Sequence, residues 1–136
     1  MIEARAIDMI QPDLASSGGI LETKKIGDYA EEQGIPMAMH FAGTPVSFMA
    51  NIHCAAATEN FIALEHHSVD IPWWEDMVKN IPKPLVIDGF AKVPEGPGLG
   101  IELNEEVIKQ HLQEGTEYFA PTDDWNTDRS NDRWWS

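Results

Sequence analysis

Short apolar runs alternate along the chain with amphipathic or alanine-rich stretches, and the first three runs each close on an ionisable side chain. Residues 7–13, IDMIQPD, read as a strand closed by Pro12 and ending at Asp13. LASSGGI follows as a turn, where Gly18 and Gly19 relieve backbone strain ahead of a helix. From Ile20 to Gln33, Ile26, Tyr29 and Ala30 recur at helical spacing. Glu22, Lys24, Lys25, Asp28, Glu31 and Glu32 mostly take the other faces, and Gly34 stands where such a helix stops. IPMAMH, 35–40, is a second strand ending at His40. Pro45 suits a first helical turn. Val46 to about Thr58 is alanine-rich and nearly free of charge, so this helix is expected to be buried on most sides. NFIALE, 60–65, is a third strand ending at Glu65, with His66 and His67 directly behind it.

The order strand, helix, strand, helix, strand predicts parallel β/α units. Strands this uniformly apolar belong in a sheet covered on both faces. In such folds ligands bind at the carboxyl ends of the strands, and here those ends carry Asp13, His40 and Glu65. Beyond them the pattern loosens. Residues 68–80 read as a loop with a helical turn or two, and 84–103 as turn-rich with short extended pieces on either side of Asp88-Gly89. NEEVIKQHL, 104–112, predicts a helix capped by Asn104, with Glu105 and Glu106 in its first turn. The organisation expected is a domain over 1–114 and a tail over 115–136. Trp125, Trp134 and Trp135 in that tail predict that it docks on this domain or a neighbour.

Composition narrows the classes of function. The chain has 136 residues, 43% of them hydrophobic, enough for one domain with a real core. The formal net charge of -14, with 23 acids against 9 bases and no Lys/Arg cluster, argues against nucleic acid. No apolar run approaches membrane-spanning length, and MIEARAIDMI lacks the clean apolar core of a signal peptide. The only cysteine is Cys54, so no intrachain disulfide or cysteine-based zinc framework exists, which suits a cytoplasmic location.

Adjacent parallel strands lie about 4.8 Å apart. If the first two strands are neighbours, Asp13 and His40 emerge side by side. A carboxylate beside an imidazole fixes its tautomer and favours its protonated form, an arrangement able to take a proton from carbon. Each residue also has a plainer reading. Asp13 after a proline can be a turn residue or a helix cap, His40 a structural histidine, and Glu65 a solvated acid. The plainer readings weaken together because they must coincide on one edge. Other motifs are weaker still. Gly18-Gly19 lacks both the GxGxxG pattern and a Walker lysine, and GPGLG at 96–100 reads as a turn. His53, His66, His67 and Glu59 match no trusted zinc spacing. His53 reads as structural. By strand alternation His67 points the same way as Glu65 while His66 points away.

At this point a family resemblance can be named. IDMIQPDLASSGGILETKKIGDYAEEQGIPMAMH, then AAATENFIALE, then PEGPGLGIEL, resemble the C-terminal part of the mandelate racemase/muconate lactonizing enzyme group of the enolase superfamily. The similarity runs from about residue 3 to residue 112. It implies an α/β fold, the C-terminal portion of a (β/α) TIM-type barrel holding strands six to eight with their helices. It also implies Mg²⁺ chemistry on a carboxylate substrate. Asp13 and His40 match the base dyad of racemase-like members, and Glu65 matches the residue that hydrogen-bonds the substrate carboxylate. His67 is a candidate substrate contact for a polyol hydroxyl.

A complete barrel needs about 250 residues, and by the resemblance the metal ligands and a lysine-bearing strand lie upstream of this chain. The expectation is therefore a fragment that binds Mg²⁺ weakly and does not turn over by itself, from an enzyme that is a homo-oligomer at full length. The neighbourhoods HFAGTPV and ALEHHSVD look closer to acid-sugar dehydratases of galactonate or rhamnonate type than to mandelate racemase. A racemase, an epimerase, a cycloisomerase or a non-catalytic remnant remain the alternatives.

Overall fold

The computed structural model of the chain describes residues 1–68 and 70–118. The predicted docking of a tryptophan tail concerns Trp125, Trp134 and Trp135, which lie outside the described residues. Helix α1 spans Gly19–Glu32, strand β1 Met37–Met39, helix α2 Pro45–Ala56 and strand β2 Phe61–Leu64. A 3-10 turn at Glu75–Met77 leads into β3 (Val78–Lys79). The remaining elements are β4 (Val86–Ile87), β5 (Phe90–Ala91), β6 (Glu102–Leu103) and α3 (Glu105–Gln110). No helix among the described residues is long and apolar enough to cross a membrane.

The segment predicted as the first strand pairs with β1 in parallel but only at two isolated bridges, Ile10 with Met37 and Asp13 with His40. Its proline explains the gap. Ile10 N–H donates to Pro36 O at 3.0 Å and Ala38 N–H to Ile10 O at 3.0 Å. The next bond would start from the nitrogen of Pro12, which has no hydrogen. The pairing resumes where His40 N–H donates to Pro12 O at 3.1 Å. On its other side β1 pairs in parallel with β2, with Met37 opposite Phe61, Ala38 opposite Ala63 and Met39 opposite Leu64. A bulge leaves Ile62 as the extra residue.

Both long helices cover one face of this small sheet. Met37 and Met39 are fully buried there with Ile10, Leu14, Ala30, Cys54 and Ala55. α2 buries most of its length, as its alanine-rich, uncharged sequence predicts. α1 presents Thr23, Gly27 and Ala30 inward. This corrects the predicted stripe. Tyr29 lies outside it, 39% exposed, and its hydroxyl donates to Glu3 at 2.8 Å. Gly27 marks the true contact line because its missing side chain lets the helix come close to Thr58 and Met37. A residue that reads as a gap in the apolar pattern is therefore the point of closest approach.

The expectation of a sheet covered on both faces also fails for β2. Ile62 is 58% exposed and Ala63 is exposed as well. Among the described residues β2 is paired on one side only, and nothing covers its outer face. Beside it runs an open, mainly apolar cleft of about 940 Å³, lined among others by Ile52, Ile62, Ile71, Phe90 and Val93.

A second core holds the later segments. Phe41, Phe48, Met49, Ile52, Trp74, Val78 and Leu85 pack together, and Trp74 Nε1–H donates to Gly43 O at 2.7 Å. β4 and β5 form an antiparallel hairpin around Asp88-Gly89, whose φ angles of 51° and 80° are those a tight two-residue turn demands. Asn104 does not cap α3 with its side chain as predicted. Its backbone N–H is tied to Met77 O at 2.8 Å instead, beside the β3–β6 pairing.

A methyl group at residue 27 would stand 2.6 Å from Thr58 Cγ2. Thr58 cannot yield, because its hydroxyl donates to Cys54 O at 2.8 Å and it is buried. Gly27→Ala is therefore expected to destabilise the fold by about 1–3 kcal/mol through overpacking, even though alanine gains about 1 kcal/mol in helix propensity. Urea unfolding of the two proteins measures the difference, and a more stable variant would contradict this packing.

Candidate active site

The bulge decides which side chains meet. Counted straight from the pair Met37–Phe61, Leu64 would face His40 and Glu65 would lie one residue further on. The extra residue at Ile62 moves β2 by one, so Met39 faces Leu64 and Glu65 comes level with His40. Glu65 N–H donates to Met39 O at 3.0 Å and holds that register beyond the strand. The Asp13–His40 bridge completes the row from the other side. Side chains alternate between faces. Met37 and Met39 point to the helices, so Ala38 and His40 point to the uncovered face, where Asp13 and Glu65 join His40.

Asp13 uses its two oxygens for different tasks. Oδ1 accepts from Ser16 N–H at 2.9 Å and from Ser16 Oγ–H at 2.9 Å, which closes the turn before α1. Oδ2 lies 2.8 Å from His40 Nδ1. The bonds to the turn and the bond to His40 thus use different oxygens and do not compete. The hydrogen bond from His40 holds the Asp13 carboxyl below its usual range, against a desolvation that pushes it up, with Ser16 helping to lower it. An ionised Asp13 can only accept, so the proton of that bond sits on His40 Nδ1. A neutral His40 then turns a bare Nε2 lone pair towards the open face.

Glu65 stands across from His40 Nε2. Its Oε1 is 2.7 Å from His67 Nε2. Its Oε2 is shut off from solvent, has no hydrogen-bond partner among the described residues and lies 3.6 Å from His40 Nε2. The His67 hydrogen bond is the main influence holding the Glu65 carboxyl below its usual range, with desolvation opposing it. His66, between them in sequence, turns the other way. Its ring is 5.0 Å from Phe48 and 5.1 Å from Trp74, both edge-on. Burial there pulls its imidazole below its usual range. A neutral, packed His66 anchors the segment and leaves Glu65 and His67 on the site side.

Asp13, His40, Glu65 and His67 are thus gathered at one edge. The other candidates are dispersed. His53 Nε2 lies 3.4 Å from Leu99 O, and His111, which carries no predicted role, stacks on Trp73 with ring centres 3.9 Å apart. Burial pushes the Cys54 thiol up, so it is a core group and no nucleophile. Ser16, as the partner of Asp13, is the contributor that sequence reading missed. The signal for it was Asp-x-x-Ser ahead of a glycine pair.

The Mg²⁺ implied by the resemblance does not fit these residues. Mg²⁺ asks for near-octahedral oxygen ligation, whereas three of the four carboxylate oxygens of Asp13 and Glu65 are engaged by imidazoles or Ser16. No group of three or more His, Cys, Asp or Glu among the described residues could hold a metal ion.

Comparison with known proteins adds the following. The family model described as Enolase C-terminal domain-like matches residues 1–107. The chain is 42% identical over 119 residues to the D-xylonate dehydratase of Haloferax volcanii, an alignment covering 88% of this chain and 28% of that protein. It is 31% identical over 111 residues to the D-gluconate dehydratase of Thermoproteus tenax, covering 82% of this chain and 22% of that one. Among solved structures, a mandelate racemase/muconate lactonizing enzyme-like protein from Rubrobacter xylanophilus superposes with a TM-score of 0.82 at 41% identity, over 87% of this chain and 30% of that one. An enolase from Pantoea ananatis with bound D-gluconate and Mg superposes with a TM-score of 0.72 at 32% identity, over 85% and 28%. The chain therefore spans less than a third of the length of these relatives.

The Asp13–His40 bond has a pH signature. A carboxyl whose folded value lies below its ordinary 3.8 stabilises the fold above that value and loses the effect as pH falls through the lower, folded one. Asp13→Asn keeps the size of the side chain but cannot ionise. The stability advantage of the native protein over this variant should be full above about pH 4 and close on further acidification. Urea midpoints recorded from neutral to acid pH follow it, and a gap that widens in acid would refute the assignment.

Proposed function

Because the chain belongs to the Enolase C-terminal domain-like family, we propose that it supplies the proton-abstracting wall of a sugar-acid dehydratase. In this reading residues 1–114 provide strands six to eight of a barrel that is incomplete in this chain. The one-sided pairing of β2 and its bare outer face support that placement. The observation that carries the chemistry is the row Asp13–His40–Glu65, with His40 held through Nδ1 and its Nε2 facing the open side.

The reaction proposed begins with a hydrogen on the carbon next to a carboxylate. His40 Nε2 takes that proton as general base. Asp13 keeps the ring in the required tautomer and stabilises the imidazolium that forms. The hydroxyl on the neighbouring carbon then departs, and the His40 imidazolium returns a proton to it, so water leaves and the base is regenerated. Glu65 faces the substrate from the other side of His40, where it contacts the carboxylate, and His67 lies beside it. The enol so formed rearranges to a 2-keto-3-deoxy acid. Similarity to dehydratases of D-xylonate, D-gluconate and arabinonate supports this class of substrate, and the relative with bound D-gluconate and Mg supports a metal-dependent parent enzyme. The Mg²⁺ ligands of that enzyme would lie outside the described residues.

A graft tests the proposal. Residues 1–118 replace the matching segment of the Haloferax volcanii D-xylonate dehydratase, and the 2-keto-3-deoxy product is assayed. The graft should turn over D-xylonate, and His40→Ala within it should lower kcat by about 10²–10⁴-fold, the usual contribution of a general base. The 136-residue chain alone should show no turnover. A folded graft that works equally well without His40, or robust turnover by the chain alone, would overturn the reading.

A further inference from the structure

His67 has no settled task in this scheme. It was a candidate for touching a substrate hydroxyl, but the structure occupies its Nε2 otherwise, 2.7 Å from Glu65 Oε1. The consequence falls on Glu65. With Oε1 clamped by one imidazole, only Oε2 is left to the site, and that atom is buried, unpartnered and 3.6 Å from His40 Nε2. A buried carboxylate oxygen without a donor is costly and marks a place that a ligand or a proton fills. The clamp is itself held. His66 is wedged among Phe41, Phe48 and Trp74, Ser68 Oγ–H reaches Gly43 O at 3.4 Å, and strand alternation then leaves residues 65 and 67 on the same side.

We propose that His67 is a positioning residue that acts through Glu65: it pins Oε1 so that Oε2 alone faces His40, and its charge decides whether Glu65 meets a ligand as a carboxylate or as a carboxyl. The inference rests on reading the site as one that takes a carboxylate. Two carboxylates repel unless a proton lies between them. Glu65 must therefore gain a proton when an anionic ligand comes against Oε2. A positively charged His67 opposes that gain and a neutral one permits it. The groups facing this pair are few. His40 stands before Oε2, with Asp13 behind it. The Phe41 N–H lies against the Glu65 carboxyl, and His66 follows Glu65 in the chain with Glu75 near it. No lysine or arginine forms an ion pair with Glu65 among the described residues.

The test uses the intact chain and carboxyl ¹³C NMR of Glu65 across pH. Without ligand, His67→Ala should move the Glu65 titration midpoint upward, because the His67 hydrogen bond that holds this carboxyl below its usual range is lost. His67→Asn, which can still donate to Oε1 but carries no charge, should fall between native and alanine. A midpoint unmoved in both variants overturns the inference, because a ring that only filled space would leave it alone. His67 is largely exposed, its side chain 57% accessible, so the variants are expected to fold.

D-gluconate is then added as the probe. Its binding should fall off at higher pH in His67→Ala than in the native chain, in step with the Glu65 midpoint. Gluconate that moves the Asp13 and His40 signals with the same pH profile in both proteins also overturns the inference. Where gluconate moves none of the site signals, the ligand-free titration decides the Glu65–His67 coupling by itself, and the carboxylate reading is decided by turnover of the graft.

Discussion

The register of β1 against its two neighbours is the constraint on which the rest of the site depends. The proposed chemistry needs a carboxylate, an imidazole and a second carboxylate at one level on one face. In a parallel sheet a slip of one residue turns a side chain to the opposite face. Two local features prevent that slip. Pro12 interrupts the pairing on one side without moving it, because the bond from His40 N–H to Pro12 O still forms. The bulge at Ile62 shifts the pairing on the other side by one residue, and so brings Glu65 beside His40 in place of Leu64. Bulges next to sites commonly re-aim a side chain in this way.

Structural and chemical tasks fall on the same side chains here, divided by atom. Asp13 gives one oxygen to the turn before α1 and the other to His40. Glu65 gives one oxygen to His67 and leaves the other in the site. His66 contributes by being where it is not seen, packed edge-on against Phe48 and Trp74. The second core thus fixes the orientation of the 65–67 segment, and the Trp74 bond to Gly43 O ties the loop after β1 to the same anchor.

Much of this was legible in the sequence because it is local. Strand ends followed from where apolar runs met ionisable residues. Helix limits followed from glycine, proline and periodicity to within a residue or two. The β4–β5 hairpin followed from Asp88-Gly89. The opposed directions of His66 and His67 followed from alternation. What was missed depends on partners distant in the chain. The bulge cannot be read from FIAL, since either register leaves an apolar strand. Gly27 reads as a helix weakness until Thr58 and Met37 are placed against it. Tyr29 reads as core until Glu3 is found to hold its hydroxyl at the surface. Ile62 and Ala63 are exposed on a strand that, among the described residues, is paired on one side only, and no pattern within the strand reports this.

The charge balance at the strand ends shows what this wall can and cannot do. Asp13 and Glu65 face two imidazoles, and no lysine or arginine pairs with either acid among the described residues. Such a set moves a proton well. A base held by one carboxylate and watched by another gains stability on becoming an imidazolium. The same set is poorly suited to the charge left on the substrate. Removing a proton next to a carboxylate creates an enediolate with a further negative charge, and that charge needs preorganised positive partners at the oxygens where it develops. Here those oxygens would meet carboxylates. In the proposed reading, the residues described would therefore form the proton-handling half of a site, and the half that stabilises the enediolate would have to face them from across the uncovered side of β1 and β2.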